Sequence, residues 1–422
     1  MSAIHDILSK VPLPKMVTAE QHFPAETLDN VSGALITALK EKVTSDLLRP
    51  GMEIAITAGS RGIANMPLVL RELCDYVKQF NCKPFIVPAM GSHGGATAEG
   101  QIEVLRSLGI TEESMGCPIR SSMETVCIHE FEDGFKVYVD ATAFQSDGII
   151  VVNRIKPHTA FRGRYESGLM KMMCVGLGKQ AGADQIHRFG PKNMGNNIER
   201  GGRKILETGK ILFGVALSEN SYDQTRQIDV LLPEEILEKE PLLQETAKEN
   251  MPKILFEHID VLIIDKIGKN ISGPGMDPNI TYTFNPSSGI SCEKRAHRIV
   301  VFDLTDESHG AAVGMGNADF ITRCLFEKID FDNTYPNLLT AGFPEPGKIP
   351  MIMDSQKLAV QAAIKTAALH DMSKARIVHI PDTLHLGEIE ISESLLDDAK
   401  NIPGIRISGE LHDMSFTDGN LF

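Results

Sequence analysis

Short apolar runs alternate with stretches of helical period through the first half of the chain. Residues 53–57 (EIAIT) read as a buried strand ending at the turn Ala58-Gly59-Ser60-Arg61-Gly62. Leu68, Leu70, Leu73, Tyr76 and Val77 then recur near helical spacing and predict an amphipathic helix over 67–80. The next apolar run, 84–87 (PFIV), ends at Gly91-Ser92-His93-Gly94-Gly95. A helix is expected over 96–108, with Ile102, Val104 and Leu105 inward and Thr97 as its cap. Shorter strands follow at 125–129 and 136–139, and the unbroken run 148–152 (GIIVV) marks a fully buried strand. Strand–helix–strand order predicts an α/β fold with mostly parallel sheets and flanking helices, its functional loops at the carboxyl edge.

An acid-rich helical stretch over 236–258 precedes a new apolar strand at 261–264 (VLII), so a domain crossing is expected near 255–260. The reading is therefore two α/β domains, 1–257 and 258–422, with the active site in the cleft between them. The second half adds strands at 298–302 and 377–380 and helices at 318–327 and 355–369. It also carries two Gly/Asn-rich loops, 267–279 (IGKNISGPGMDPN) and 314–320 (GMGNADF).

Composition narrows the classes of function. A chain of 422 residues exceeds what one hydrophobic core organises, in keeping with two domains. Its 42 basic and 56 acidic residues give a net charge of −14, and no Lys/Arg stripe stands out. Neither nucleic acid nor a membrane surface is an expected partner, and an anionic substrate would need a local basic cluster. No leader-like segment or membrane-length apolar run is evident, so a cytoplasmic location is expected. The cysteines (Cys74, Cys82, Cys117, Cys127, Cys174, Cys292, Cys324) are scattered without CxxC spacing. That is the usage of a reducing compartment and makes no case for a zinc or iron–sulfur site.

Reactive residues follow three of the expected strands: Arg61, His93 and His158. Taken singly, each is as well explained by a helix cap or a satisfied loop carbonyl. At equivalent ends of parallel strands, however, such residues converge. The richest segment is 166–187 (ESGLMKMMCVGLGKQAGADQIH). Lys171 stands there among Met170, Met172, Met173 and Cys174, so its ammonium either snorkels to solvent or is perturbed, with a covalent or anionic partner. His187, sixteen residues on, is either a surface histidine or a metal ligand. Arg154, Lys156, Arg162 and Arg164 precede the segment as an anchor for phosphate or carboxylate, or as a solvated loop. The motifs of dinucleotide-binding, P-loop, zincin and α/β-hydrolase enzymes (GxGxxG opening a helix after a strand, GxxxxGK[ST], HExxH, GxSxG) are absent.

Together these elements resemble the nickel-dependent lactate racemase family. TAGSRG with Arg61, GSHGGAT with His93, Pro157-His158, SGLMKMMCVGL with Lys171, and His187 match that family's motifs in order along most of the chain. The resemblance implies a racemase or epimerase that inverts C2 of a 2-hydroxy acid. It would use a nickel-pincer nucleotide, a pyridinium mononucleotide whose two sulfur-containing arms hold nickel, loaded by cofactor-assembly proteins. Lys171 would be the attachment residue and His187 the nickel ligand, an imidazole suiting that metal. His93 and His158 would exchange the hydroxyl proton while the α-hydrogen moves reversibly as hydride to the cofactor, and Arg61 would hold the carboxylate.

The C-terminal residues lining the substrate site would be Gln361 and Lys365, preceded by Val360 where the family has an aromatic residue. Gly94 stands where the family commonly has an arginine. Both replacements leave an expectation of extra room, hence of a substrate larger or more polar than lactate. The competing readings are a lyase or oxidoreductase on the same scaffold without the pincer, and a binding protein without turnover.

Overall fold

The computed structural model describes residues 3–188, 190–285, 288–290 and 296–421. The chain forms two compact units, Pro24–Met251 and a second made of Met1–Phe23 with Pro252–Phe422. The start of the chain is thus not part of the N-terminal unit, unlike the expected division at 257/258. Strand β1 (Lys15–Gln21) alternates buried and part-exposed positions and pairs antiparallel inside the C-terminal sheet. Its buried Met16, Val17 and Ala19 need that sheet to cover them.

The unit Pro24–Met251 is built on β2 (Glu53–Ala58), β3 (Lys83–Pro88), β4 (Thr125–Glu130), β5 (Lys136–Asp140), β6 (Gly148–Arg154), β7 (Ile211–Glu219) and β8 (Thr225–Leu231). Its main sheet runs β3-β2-β6-β7-β8, parallel up to β7 with β8 antiparallel at one edge. The apolar runs are continuous because both faces are covered. Ile54, Ile56, Ile86, Ile150 and Val152 face helices Val31–Lys42, Met66–Gln79 and Ala98–Ser107. The alternate residues Ala55, Phe85, Val87, Ile149 and Val151 face the 169–177 segment and helix Pro191–Glu207. Thr97 caps helix Ala98–Ser107 by accepting from Gly100 N at 3.0 Å, as its sequence position predicts. Strands β4 and β5 leave this sheet and pair only with each other.

The other unit adds β9 (Ile259–Ile267), β10 (Ala296–Leu304), β11 (Phe320–Thr322), β12 (Met351–Met353), β13 (Ile377–Ile380), β14 (Glu388–Ser392) and β15 (Ile405–Ile407). They are ordered β12-β11-β10-β9-β13-β14-β1-β15. The helix expected over 318–327 is instead β11 followed by the short helix Arg323–Glu327. Phe320, Ile321 and Thr322 are all buried between β10 and β12, so sheet pairing overrides helical spacing there. Thr322 then caps the new helix through Leu325 N.

The two unassigned glycine loops dock on each other. A Cβ at Gly275 (φ +79°) would meet the Val313 carbonyl at 1.9 Å, and one at Gly314 (φ +95°) would meet that of Pro274 at 1.8 Å. Among the described residues, no helix is long and apolar enough to cross a membrane. The six described cysteines are free thiols, and Cys292 lies outside the described residues.

Candidate active site

Parallel pairing of β3, β2 and β6 brings their carboxyl ends to one edge, from which Arg61, His93 and His158 follow. The Ser60 hydroxyl hydrogen-bonds His93 Nδ1 and so joins the loops after β2 and β3. After β6, Lys156 and Ser167 exchange backbone bonds of 2.8 and 3.2 Å, which closes the intervening residues into a loop. Glu166 staples it by accepting from His158 N at 2.7 Å. Glu166 is itself buried, bound by Gln244 at 3.2 Å and by Lys248 at 3.2 Å. Within the loop, Ala160 N–H donates to His158 Nδ1 at 3.0 Å. That bond places the proton of the neutral ring on Nε2.

Lys171 closes a single α-turn, Leu169–Lys171, that runs into the π-helical turn Met172–Gly176. Such widened turns recur at functional sites. The turn packs closely because helix Pro191–Glu207 presents Gly201 and Gly202. A Cβ at Gly202 would meet Met170 Cε at 2.5 Å, and one at Gly201 the Cys174 Sγ at 3.1 Å. Met170, Met173 and Cys174 are buried, whereas Lys171 keeps part of its surface. Below them, the buried Glu240 accepts from Met170 N at 3.0 Å, and burial pushes its carboxyl up to about 8. Helix Lys179–His187 then carries His187 in its last turn.

These residues act on one another's charge. Burial, followed by the Arg61 charge, pushes Lys171 down to about 8. Burial holds His158 well below the usual histidine range, helped by Lys171, His187, Arg162 and Arg61. His187 is lowered by burial and then by Lys171, against a smaller opposing pull from Asp184. Desolvation by surrounding protein atoms, then the Arg154 charge, depresses Arg61 although its side chain reaches water, yet a guanidinium stays charged. Lys171, His158 and His187 each retain accessible surface while protein atoms crowd them. Arg61 is the most exposed, and water screens its effect most. Among the described residues, no carboxylate is among the groups acting on Lys171 or Arg61. His187 Nδ1 is buried without a hydrogen-bond partner among the described residues.

A solved structure, the lactate racemase apoprotein from Thermoanaerobacterium thermosaccharolyticum, superposes with a TM-score of 0.53, covering 86% of this chain and 94% of that one. The fold resembles that lactate racemase. Sequence identity over the match is 15%, so the likeness is one of architecture. No family model matches the sequence, and no curated protein matches it.

Several expected site residues have other work. Gln361, in helix Gln356–Thr366 of the second unit, is buried and donates to the Val11 carbonyl at 3.0 Å. Its amide therefore anchors the N-terminal segment and is not presented to a substrate. Lys365, on the same helix, is exposed. The basic group after β6 is dispersed: Arg154 pairs with Glu219, Arg162 bonds the His158 carbonyl at 2.6 Å, and Arg164 the Leu237 carbonyl at 3.0 Å.

The extra room expected at Gly94 and Val360 is not there. A Cβ at Gly94 (φ +67°) would meet the Gly100 carbonyl carbon at 2.6 Å, and Val360 is wholly buried in the core. Sequence reasoning missed Ser60 and Glu166. Ser60 had one signal, its place beside Arg61 in a strand-end turn; Glu166 had none.

Proposed function

We propose that the protein is an isomerase that inverts the hydroxyl-bearing carbon of a small 2-hydroxy acid, with a nickel-pincer nucleotide tethered to Lys171. The observation that carries this reading is that Arg61, His158, Lys171 and His187 act electrostatically on one another, with no carboxylate acting on either cation among the described residues. Uncompensated cations beside neutral imidazoles favour an anionic occupant. The likeness of fold to a lactate racemase supports the same class of reaction.

The residues fit the group. Lys171, lowered to about 8, holds much of its amine neutral in mild alkali, the form that can be acylated. His187 has a buried nitrogen without a partner among the described residues, and its lowered pKa keeps the ring neutral as a metal ligand must be. No three His, Cys, Asp or Glu side chains cluster for a metal among the described residues. Lys171 would hold the nucleotide and His187 would complete the nickel coordination. When bound, the group supplies a hydride acceptor beside the substrate.

The chain's own residues bind the acid and handle its proton. Arg61 binds the carboxylate through charge-assisted hydrogen bonds. His158, with Nδ1 accepting from Ala160, offers Nε2–H to the substrate oxygen. When His93 donates from Nδ1 to Ser60, its Nε2 can take the hydroxyl proton. The buried Met172 and Phe161, the latter packed on the His158 ring, would limit water around the reacting carbon.

The test is co-expression with the cofactor-assembly proteins, followed by peptide mass mapping, metal analysis and assay of 2-hydroxy acid enantiomers. The expected result is added mass on the Lys171 peptide, about one nickel per chain, and stereoinversion of one or more acids. Turnover by a chain with unmodified Lys171 would overturn the tether, and ligand binding without turnover would overturn the isomerase.

A further inference from the structure

We infer that Lys179 and Gln101 form an internal strut that positions His93 and ties its loop to the segment bearing Lys171 and His187. The role of His93 rests on the functional reading above; the strut rests on geometry alone.

Lys179 opens helix Lys179–His187, is wholly buried, and stands at φ +54°. A side chain holds that left-handed conformation only where its surroundings over-determine it. A buried ammonium has three N–H donors to satisfy. Its Nζ donates to the Pro88 carbonyl at 2.5 Å and to Gln101 Oε1 at 3.0 Å, and its charge pairs with Asp140 Oδ2 at 3.2 Å.

Gln101 is equally buried, in helix Ala98–Ser107. With Oε1 taken by Lys179, its Nε2 donates to the Gly91 carbonyl at 2.9 Å and to that of His93 at 3.3 Å. The Pro88 carbonyl at the end of β3 and the Gly91 and His93 carbonyls of the turn after it therefore depend on one lysine–glutamine pair. The turn needs that support, since Gly91 and Gly94 both stand at positive φ and give it little intrinsic stiffness.

At its other end the strut reaches the cofactor-side segment. Asp140 Oδ1 accepts from Ala143 N at 2.7 Å, and its backbone N–H donates to the Leu177 carbonyl at 2.7 Å. Leu177 lies between Lys171 and His187 in the chain. Displacement of that stretch is thus transmitted through Asp140, Lys179 and Gln101 to the backbone of His93. A buried ion pair is a weak stabiliser compared with apolar packing, which leaves geometry as the benefit of keeping this one.

Two variants separate positioning from stability. Gln101→Leu removes the amide bonds at similar volume, and Lys179→Met is made together with Asp140→Asn so that no unpaired carboxylate stays buried. Amide hydrogen exchange is measured on the protein without substrate or cofactor. Exchange over 89–94 is expected to speed on the order of tenfold or more while β2 and β6 are unchanged. In the loaded enzyme, kcat falls on the order of 10²-fold with KM within about twofold. A purely structural pair lowers thermal stability and leaves local exchange and kcat as in wild type; that outcome overturns the strut. Should the double variant fail to fold, Gln101→Leu, which removes no charge, decides the matter. A wild type that racemises no 2-hydroxy acid overturns the functional reading, and the exchange measurement still decides the strut.

Discussion

Lys171 owes its chemistry to its neighbours. An ordinary lysine is roughly 0.4% neutral at pH 8, whereas a group with a pKa of about 8 is half neutral there. Labelling of the apoprotein with an amine-reactive reagent, read by peptide mass mapping, should therefore reach half its maximal rate at Lys171 near pH 8. Arg61→Met removes a repelling cation and should move that midpoint upward. A midpoint above about 10 in wild type, where unperturbed lysines titrate, would refute the perturbation. The two histidines make a separate prediction in the loaded enzyme. His93→Gln and His158→Gln should each cost on the order of 10²–10⁴ in the rate of inversion, with little deuterium entering the α-carbon in heavy water. Rapid deuterium entry would mean a carbanion route. The places of Arg61, His93, His158 and Lys171 in the fold were legible because each follows an apolar run or interrupts one. Gly94 was misread, since only the folded chain shows the Gly100 backbone against it.

Among the secondary elements, β9, β13 and β14 are cross-linked by one imidazole. His379 on β13 reaches Asp265 of β9 at 2.7 Å and Glu390 of β14 at 2.9 Å. Burial alone would lower its pKa, but the two carboxylates outweigh burial and raise it to about 9. A folded-state pKa above the unfolded value stabilises fully below about pH 6.5, and that stabilisation is lost as pH rises through about 9. Wild type should therefore exceed His379→Gln by on the order of 3 kcal/mol at pH 6.5. The gap should close toward pH 10 in denaturant melts of the two proteins. A gap independent of pH would show that the ring acts by packing alone. The bridge was invisible beforehand because Asp265 and Glu390 reach His379 only through strand register. Strands β2, β3 and β6 were legible for the opposite reason, their all-apolar runs being local.

In the molecule as a whole, β1 crosses between the ends of the chain, pairing with β14 on one side and β15 on the other. Deleting residues 1–23 removes a doubly paired strand and exposes Met16, Val17 and Ala19's partners to water. The deletion should make the unit containing Pro252–Phe422 protease-sensitive, while a chain of residues 24–251 alone still melts cooperatively. Limited proteolysis with mass mapping, and calorimetry of the 24–251 chain, check both halves. Equal protease resistance with and without residues 1–23 would show β1 to be dispensable.

Local patterning was enough for the α/β class, the buried parallel strands and the placement of Arg61, His93 and His158 after their carboxyl ends. Hydrophobic period and strand-end glycines are properties of neighbours in the chain, so they can be read without a fold. The order β3-β2-β6, the seat of β1 in a distant sheet and the hold of Gln361 on Val11 join residues far apart in sequence. So do the staple by Glu166 and the strut through Lys179. Partners of that kind are chosen by which surfaces meet once the core has closed, and only the tertiary structure decides them.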